Sequence, residues 1–238
     1  MAETIRTDLC VIGGGSAGLS VAAAAGLMQV PTVLIEKGRM GGECLNAGCV
    51  PSKALIAAAR QADAMRRAPA FGFAAVEPKP AHNRVQAHVR DVIDSIAPID
   101  SAERFGALGV RVIQGAARFV DSRAVEVDGL RIEARRFVIA TGSRPFVPPV
   151  PGLDAVPFLT NESLFDLTRK PRRLVIIGGG PIGMEMAQAH ARLGVEVVVM
   201  EPKALLGRED AEAARIVRLA LERDGVSFRV GAAVTAVS

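Results

Sequence analysis

Cys44 and Cys49 stand five positions apart in the stretch Gly41-Gly42-Glu43-Cys44-Leu45-Asn46-Ala47-Gly48-Cys49-Val50-Pro51-Ser52-Lys53. Two thiols so close can interconvert dithiol and disulfide, provided the loop curls into a helical turn and brings their Cα atoms to about 5.5 Å. The thiolate is the reactive form, and a helix N-terminus or a nearby cation favours it. Pro51 suits the first turn of a helix, and Lys53 follows as the cation. Three other uses of the pair are open: a structural disulfide, two inert buried thiols, or part of a metal site. A bridge across so short a loop removes little unfolded-state entropy. A zinc site needs four ligands, and the histidines are His82, His88 and His190, none beside a second cysteine pair. Redox chemistry is the reading the spacing favours.

The elements that must hold this pair begin upstream. Asp8–Ile12 reads as a buried strand, and Gly13-Gly14-Gly15-Ser16-Ala17-Gly18 satisfies G-x-G-x-x-G. An alanine-rich helix from about Ala17 to Met28 follows, then an apolar strand, Thr32–Ile35, ending at Glu36. Gly13 permits the tight turn, Gly15 lets the backbone approach a pyrophosphate, and Gly18 lets the helix pack close to the strand. The helix amides and dipole then face the phosphates, and Glu36 is placed for ribose hydroxyls. The unit recurs 165 residues later without a gap: Leu174–Ile177, Gly178-Gly179-Gly180-Pro181-Ile182-Gly183, a helix to about Leu193, and Val195–Met200 ending at Glu201. Two dinucleotide sites on one chain suggest an electron donor and an acceptor.

Between the units, helices are expected from Pro51 to about Arg67 and from about Asn83 to Phe105, the second with Val85, Val89, Val92, Ile93 and Ile96 at helical spacing. Short strands follow at Val110–Ile113, Ala117–Val120, Ala124–Val127 and Leu130–Ile132, with Asp128-Gly129 a strong hairpin signal. Phe137–Ala140 is a further strand, closing on Thr141-Gly142, and the proline-rich Arg144–Gly152 reads as a stiff linker. After Glu201 a helix is expected from about Glu209 to Asp224 and a strand from Val226 to Val230. The fold class is α/β: two Rossmann-like three-layer domains, residues 1–147 and 148–238, the first carrying a small antiparallel β-meander.

The composition narrows the function. The 238 residues carry a net charge of +4, and the densest basic run, Arg169-Lys170-Pro171-Arg172-Arg173, has no Trp or Tyr to interleave with it. That argues against a nucleic-acid surface. No stretch is long and apolar enough for a membrane span. Three cysteines behind a polar start imply a reducing, cytoplasmic setting. Cys10, between Leu9 and Val11, reads as a small buried hydrophobe, and the three histidines as helix-face or surface residues.

The stretch from Gly41 to Lys53 resembles the active-site signature of the class I pyridine nucleotide–disulfide oxidoreductases, the family of dihydrolipoamide dehydrogenase, mercuric reductase and glutathione reductase. The resemblance implies that the first domain binds FAD, through Gly13, Gly15, Ser16, Gly18, Glu36, Lys37, Gly42, Thr141 and Gly142. It implies that the second binds NAD(P)H, through Gly178, Gly180, Ile182, Gly183 and Glu201. Cys49 would be the thiolate beside the flavin, Cys44 the interchange thiol, and Lys53 a cation near flavin N5 paired with Glu185. No resident metal is implied. Glu201 favours NADH, since a carboxylate repels a 2′-phosphate, although Lys203 and Arg208 lie close in sequence. Pro181 stands where glutathione reductases carry a gating tyrosine, which weakens a glutathione reading.

The family pattern continues beyond residue 238, so the chain is expected to be a C-terminally truncated member. The homodimerisation domain, with its acid–base His-Glu pair, is expected outside it. The acceptor would be a small-molecule disulfide such as lipoamide, or Hg(II); the competing reading is an FAD-binding fragment without turnover. A thioredoxin reductase-like flavoprotein would carry its cysteines in the second domain, and here they lie in the first.

Overall fold

The computed structural model describes residues 3–238, which divide into two compact units. One comprises residues 3–51 and Asp91–Pro145, the other Ser52–Arg90 and Phe146–Ser238. The units part between Pro145 and Phe146, and residues 52–90 group with residues 146–238.

The first unit is organised by β1 (Thr4–Ile12), α1 (Ser16–Leu27) and β2 (Thr32–Glu36), followed by α2 (Gly42–Asn46) and the first three residues of α3 (Cys49–Arg67), the rest of which belongs to the second unit. Next come the second part of α4 (His82–Ile96), whose start up to Arg90 belongs to the second unit, then α5 (Ala102–Ala107), β3 (Val110–Gln114), β4 (Arg118–Asp121), β5 (Ala124–Val127) and β6 (Leu130–Ile139). The sheet order is β3-β2-β1-β6-β5-β4, parallel from β3 to β6 and antiparallel through β5 and β4. One face of β1 and β2 packs Val11 and Leu34 against Leu19, Ala22 and Phe105 of the helices. The other packs Cys10, Ile12, Val33 and Ile35 against Val125, Val127 and Ile132 of the meander. This alternation is what a strand buried on both faces requires.

Three expectations are refined here. The helix expected over Asn83–Phe105 breaks at the 3-10 turn Ala97–Asp100, which contains Pro98; α5 restarts behind Ser101, whose hydroxyl accepts from the Arg104 amide at 3.1 Å. Val110–Gln114, expected only as a short strand, is the parallel edge strand beside β2. Leu130–Ile132 and Phe137–Ala140 belong to one strand, because β6 runs in register with β1 from Thr4↔Arg131 to Ile12↔Ile139. The Asp128-Gly129 hairpin forms as expected, both residues at positive φ (47° and 81°) as a type I′ turn demands.

The second unit contains α6 (Asn161–Leu164), β7 (Arg173–Ile177), α7 (Pro181–Arg192), β8 (Glu196–Glu201), α8 (Ala211–Arg223) and β9 (Ser227–Val230). Its parallel sheet has the order β7-β8-β9, and Val197 and Val199 face Met184, Ala187 and Leu221 of the helices. A closed ring of charges ties α3, α7 and the end of α8. Asp224, 5% exposed, accepts from Arg192 at 2.9 Å and Arg67 at 3.2 Å, while Asp63 accepts from Arg67 at 2.9 Å and meets Arg192 at 3.5 Å.

Candidate functional site

The two glycine-rich turns have the same geometry. Gly13 and Gly178 adopt φ of +112° and +111°, in the region that glycine enters without steric cost. Their amides donate to the end of the neighbouring strand, Gly13 to Ile35 O at 2.8 Å and Gly178 to Met200 O at 2.9 Å. A Cβ on Gly18 would collide with the Gly13 carbonyl, and one on Gly183 with the Gly178 carbonyl, so both helices start as close to their strands as the backbone permits. Gly15 and Gly180 are the residues just before α1 and α7, helices with no acidic side chain in the first turn. A Cβ on Gly15 would meet only the Gly42 Cα, at 3.7 Å, and one on Gly180 nothing within 4 Å. Open backbone ahead of an uncompensated helix N-terminus fits a diphosphate at both loops.

The acids at the strand ends do more than await a ribose. Glu36, 9% exposed, accepts the Gly14 and Gly38 amides, each at 2.5 Å. Glu201 accepts the Gly179 and Lys203 amides at 2.9 and 2.8 Å. Each carboxylate therefore holds the glycine-rich turn to its strand and keeps lone pairs for a further donor. The duplication reaches the next loop, where Gly41 and Leu206 donate to Gly14 O and Gly179 O, each at 2.8 Å. Leu206 keeps the positive φ (51°) that Gly41 has at 84°.

In the first unit that loop becomes the dithiol loop. Gly41 forms a parallel bridge with Gly15, and Gly42 lies so near the Gly15 Cα that a Cβ on it would approach to 2.6 Å. Asn46 ties α2 back through its side-chain amide, donating to Met40 O at 3.0 Å and Gly42 O at 2.8 Å. Cys44 lies half-buried in α2, and Cys49 is the exposed first residue of α3. Both are free thiols, joined by a hydrogen bond. That bond, with Cys44 as the proton holder, is the main cause lifting the Cys44 thiol above its ordinary range; burial and the nearby Asp100 carboxylate act the same way, against the Cys49 amide. Burial alone pushes Cys10, on β1, up to about 12, leaving an inert thiol.

Thr141 and Gly142 leave β6 beside the first turn: Ala140 N donates to Ile12 O at 2.8 Å, and the Gly13 Cβ position is blocked by the Ala140 carbonyl. The structure thus brings Gly13, Gly15, Gly18, Glu36, Gly42, Cys44, Cys49, Thr141 and Gly142 into one loop cluster. Ser16, Lys37 and Ile182 are exposed at its margins or at the corresponding second loop. Lys53 and Glu185 are both exposed, and no ion pair among the described residues joins them. For two flexible chains in water the attraction is worth only about 0–1 kcal/mol, too little to hold them together unaided. Asp100 has no sequence signal, since it comes from a turn 51 residues beyond Cys49. His82 and His190, read as helix-face or surface residues, lie on α4 and α7 and are buried. Among the described residues no cluster of three His, Cys, Asp or Glu side chains could hold a metal, and no helix is long and apolar enough to cross a membrane.

Comparison with known proteins bears on the whole of this arrangement. The family model described as pyridine nucleotide-disulphide oxidoreductase matches residues 7–238. The chain is similar to a mercuric reductase of Bacillus cereus (34% identity, 94% of this chain and 36% of the relative). It is also similar to a dihydrolipoyl dehydrogenase of Pseudomonas aeruginosa (36% identity, 97% and 51%). Among solved structures it resembles the Cu(II) complex of the HOCl-induced flavoprotein disulfide reductase RclA of Escherichia coli, with a TM-score of 0.85, 27% identity, and 98% and 51% of the two chains covered. The chain therefore spans about half the length, or less, of the curated relatives it matches.

Proposed function

The chain belongs to the pyridine nucleotide-disulphide oxidoreductase family, and from that premise we propose that it is the electron-input half of an FAD-dependent NAD(P)H oxidoreductase acting through Cys44 and Cys49. The observation that carries this reading is the direct seating of the dithiol loop on the first glycine-rich turn, through the Gly15–Gly41 bridge and the 2.8 Å bond from Gly41 N to Gly14 O. Residues 1–147 would hold FAD and residues 148–238 the nicotinamide. FAD, when bound, supplies the means to take a hydride from NAD(P)H and return its two electrons to a disulfide.

The chain's own groups have defined tasks. The α1 amides receive one diphosphate and the α7 amides the other. Cys44 keeps its proton and donates it to the Cys49 sulfur, and Cys49, the first residue of α3, is assigned by family resemblance as the sulfur beside the flavin. Cys44 then serves as the exchange thiol: once deprotonated it attacks an acceptor disulfide, releasing one thiolate, and Cys49 displaces the second while the Cys44–Cys49 bond forms. The base for that proton is assigned to the His-Glu pair of a partner subunit in a homodimer. Lys53 and Glu185 would pair only with the cofactor in place.

NADH is favoured over NADPH because the Glu201 carboxylate is pinned at the strand end by two backbone amides, where it opposes a 2′-phosphate. The acceptor is a disulfide or a thiophilic metal ion; mercuric reductases among the relatives and a Cu(II) complex of a structural neighbour support the metal ion. A reducing, cytoplasmic setting suits a working dithiol. The test is NADH oxidation by the whole protein with lipoamide, Hg(II) and oxidised glutathione. One of the first two should support turnover that Cys49→Ser abolishes. Turnover that survives Cys49→Ser, or folded protein that retains no FAD, would overturn the reading.

A further inference from the structure

Four buried side-chain atoms among the described residues lack a hydrogen-bond partner: His82 Nε2, His190 Nε2, and both amide atoms of Gln86. All belong to the second unit, and none of the three residues is more than 7% exposed. His82 and Gln86 sit one turn apart on one face of α4, while His190 is in the last turn of α7. Each imidazole is fixed in one tautomer. His190 Nδ1 lies 2.8 Å from the Met186 carbonyl, which can only accept, so Nδ1 carries the hydrogen. The Leu167 carbonyl holds His82 in the same way, leaving its Nε2 bare. Both Nε2 atoms are thus neutral acceptors in a buried site.

The charged side chain acting on His82 is Lys170, and His82 itself is the titratable group acting on His190; Asp63 and Asp224, which meet Arg192 at the end of α7, are engaged by Arg67 and Arg192. We propose that His82, Gln86 and His190 form a proton-operated latch, in which the start of α4 stays seated in the second unit while both imidazoles are neutral and opens when one is protonated. Burial first, then neighbouring positive charge, sets both rings below the ordinary histidine range, against the pull of the two carbonyls. A folded value lowered in this way stabilises the closed form fully above the unfolded value of about 6.5, and the stabilisation is lost as pH falls below that towards the folded values. Between about pH 7.5 and pH 5.5, exposing one ordinary imidazole favours opening by up to about tenfold, and exposing two by up to about a hundredfold. The latch does not depend on the redox reading.

Hydrogen exchange on the full chain tests it. After correction for intrinsic rates, protection of the amides of residues 82–90 should fall over that pH interval, by up to about a hundredfold. In the double variant His82→Gln/His190→Gln, protection should not change with pH. Flat protection in the wild type, or an equal fall in the double variant, would overturn the proposal. Should the variant fail to fold, NMR titration of the two wild-type imidazoles decides: both below about 6.5 supports the latch, and either at or above it removes it.

Discussion

Gly180→Ala separates folding from cofactor binding. Gly180 has φ −78° and ψ 177°, extended backbone open to any residue, and its Cβ position has no neighbour within 4 Å. Alanine there should leave the fold intact, and by restricting the unfolded chain it should stabilise by about 0.4–1 kcal/mol. The same methyl group stands where a diphosphate must approach the first amides of α7. Losing one hydrogen bond to a charged group costs about 1.5–3 kcal/mol, or roughly ten- to a hundredfold and somewhat more in Kd. Gly183→Ala is the control, since its methyl group would strike the Gly178 carbonyl and lie 3.3 Å from Ile176 Cγ2. Urea denaturation and calorimetric titration with NADH would be run on both variants. Gly180→Ala should melt at or above the wild-type midpoint and bind NADH at least about tenfold more weakly, while Gly183→Ala should lose stability. Unchanged NADH affinity in Gly180→Ala, or wild-type stability in Gly183→Ala, would refute the reasoning.

Glu201→Gln removes the charge that opposes a 2′-phosphate while keeping an acceptor for one of the two amides; the ratio of NADPH to NADH Kd should narrow by about tenfold in competition binding. Asp224→Ala leaves Arg192, 17% exposed, without its better partner and opens the charge ring; denaturation should show a loss of about 3–5 kcal/mol, and a change below about 1 would mean the ring is dispensable. Cys49→Ala removes the main cause holding Cys44 protonated. The Cys44 value should move down towards that of an ordinary thiol, so its alkylation below that value should speed up, read as rate against pH by mass spectrometry.

Both dinucleotide units were legible because each demand is local: a turn, a close approach and an acid at fixed spacings. The same holds for the Asp128-Gly129 hairpin and the dithiol loop. The continuity of β6 was hidden by Arg135-Arg136, which interrupts the apolar pattern in a strand whose length is set by its neighbour β1. The edge position of β3 is likewise a pairing with β2 that no local pattern encodes. Asp100 reaches the Cys44 environment only through the tertiary path of α4 and the Pro98 turn. His82 and His190 read as helix-face or surface residues because imidazole is usually exposed; backbone carbonyls that satisfy one ring nitrogen allow their burial.

The central claim is that electrons entering at the second glycine-rich unit reach Cys44 and Cys49 by way of FAD. The direct measurement starts from the oxidised chain, kept anaerobic, with NADH and FAD added separately and together, followed by alkylation and mass spectrometry of the peptide containing both cysteines. The account predicts two alkyl groups, on Cys44 and Cys49, only when NADH and FAD are both present. A pair that stays oxidised with both, or is reduced by NADH without FAD, would contradict it.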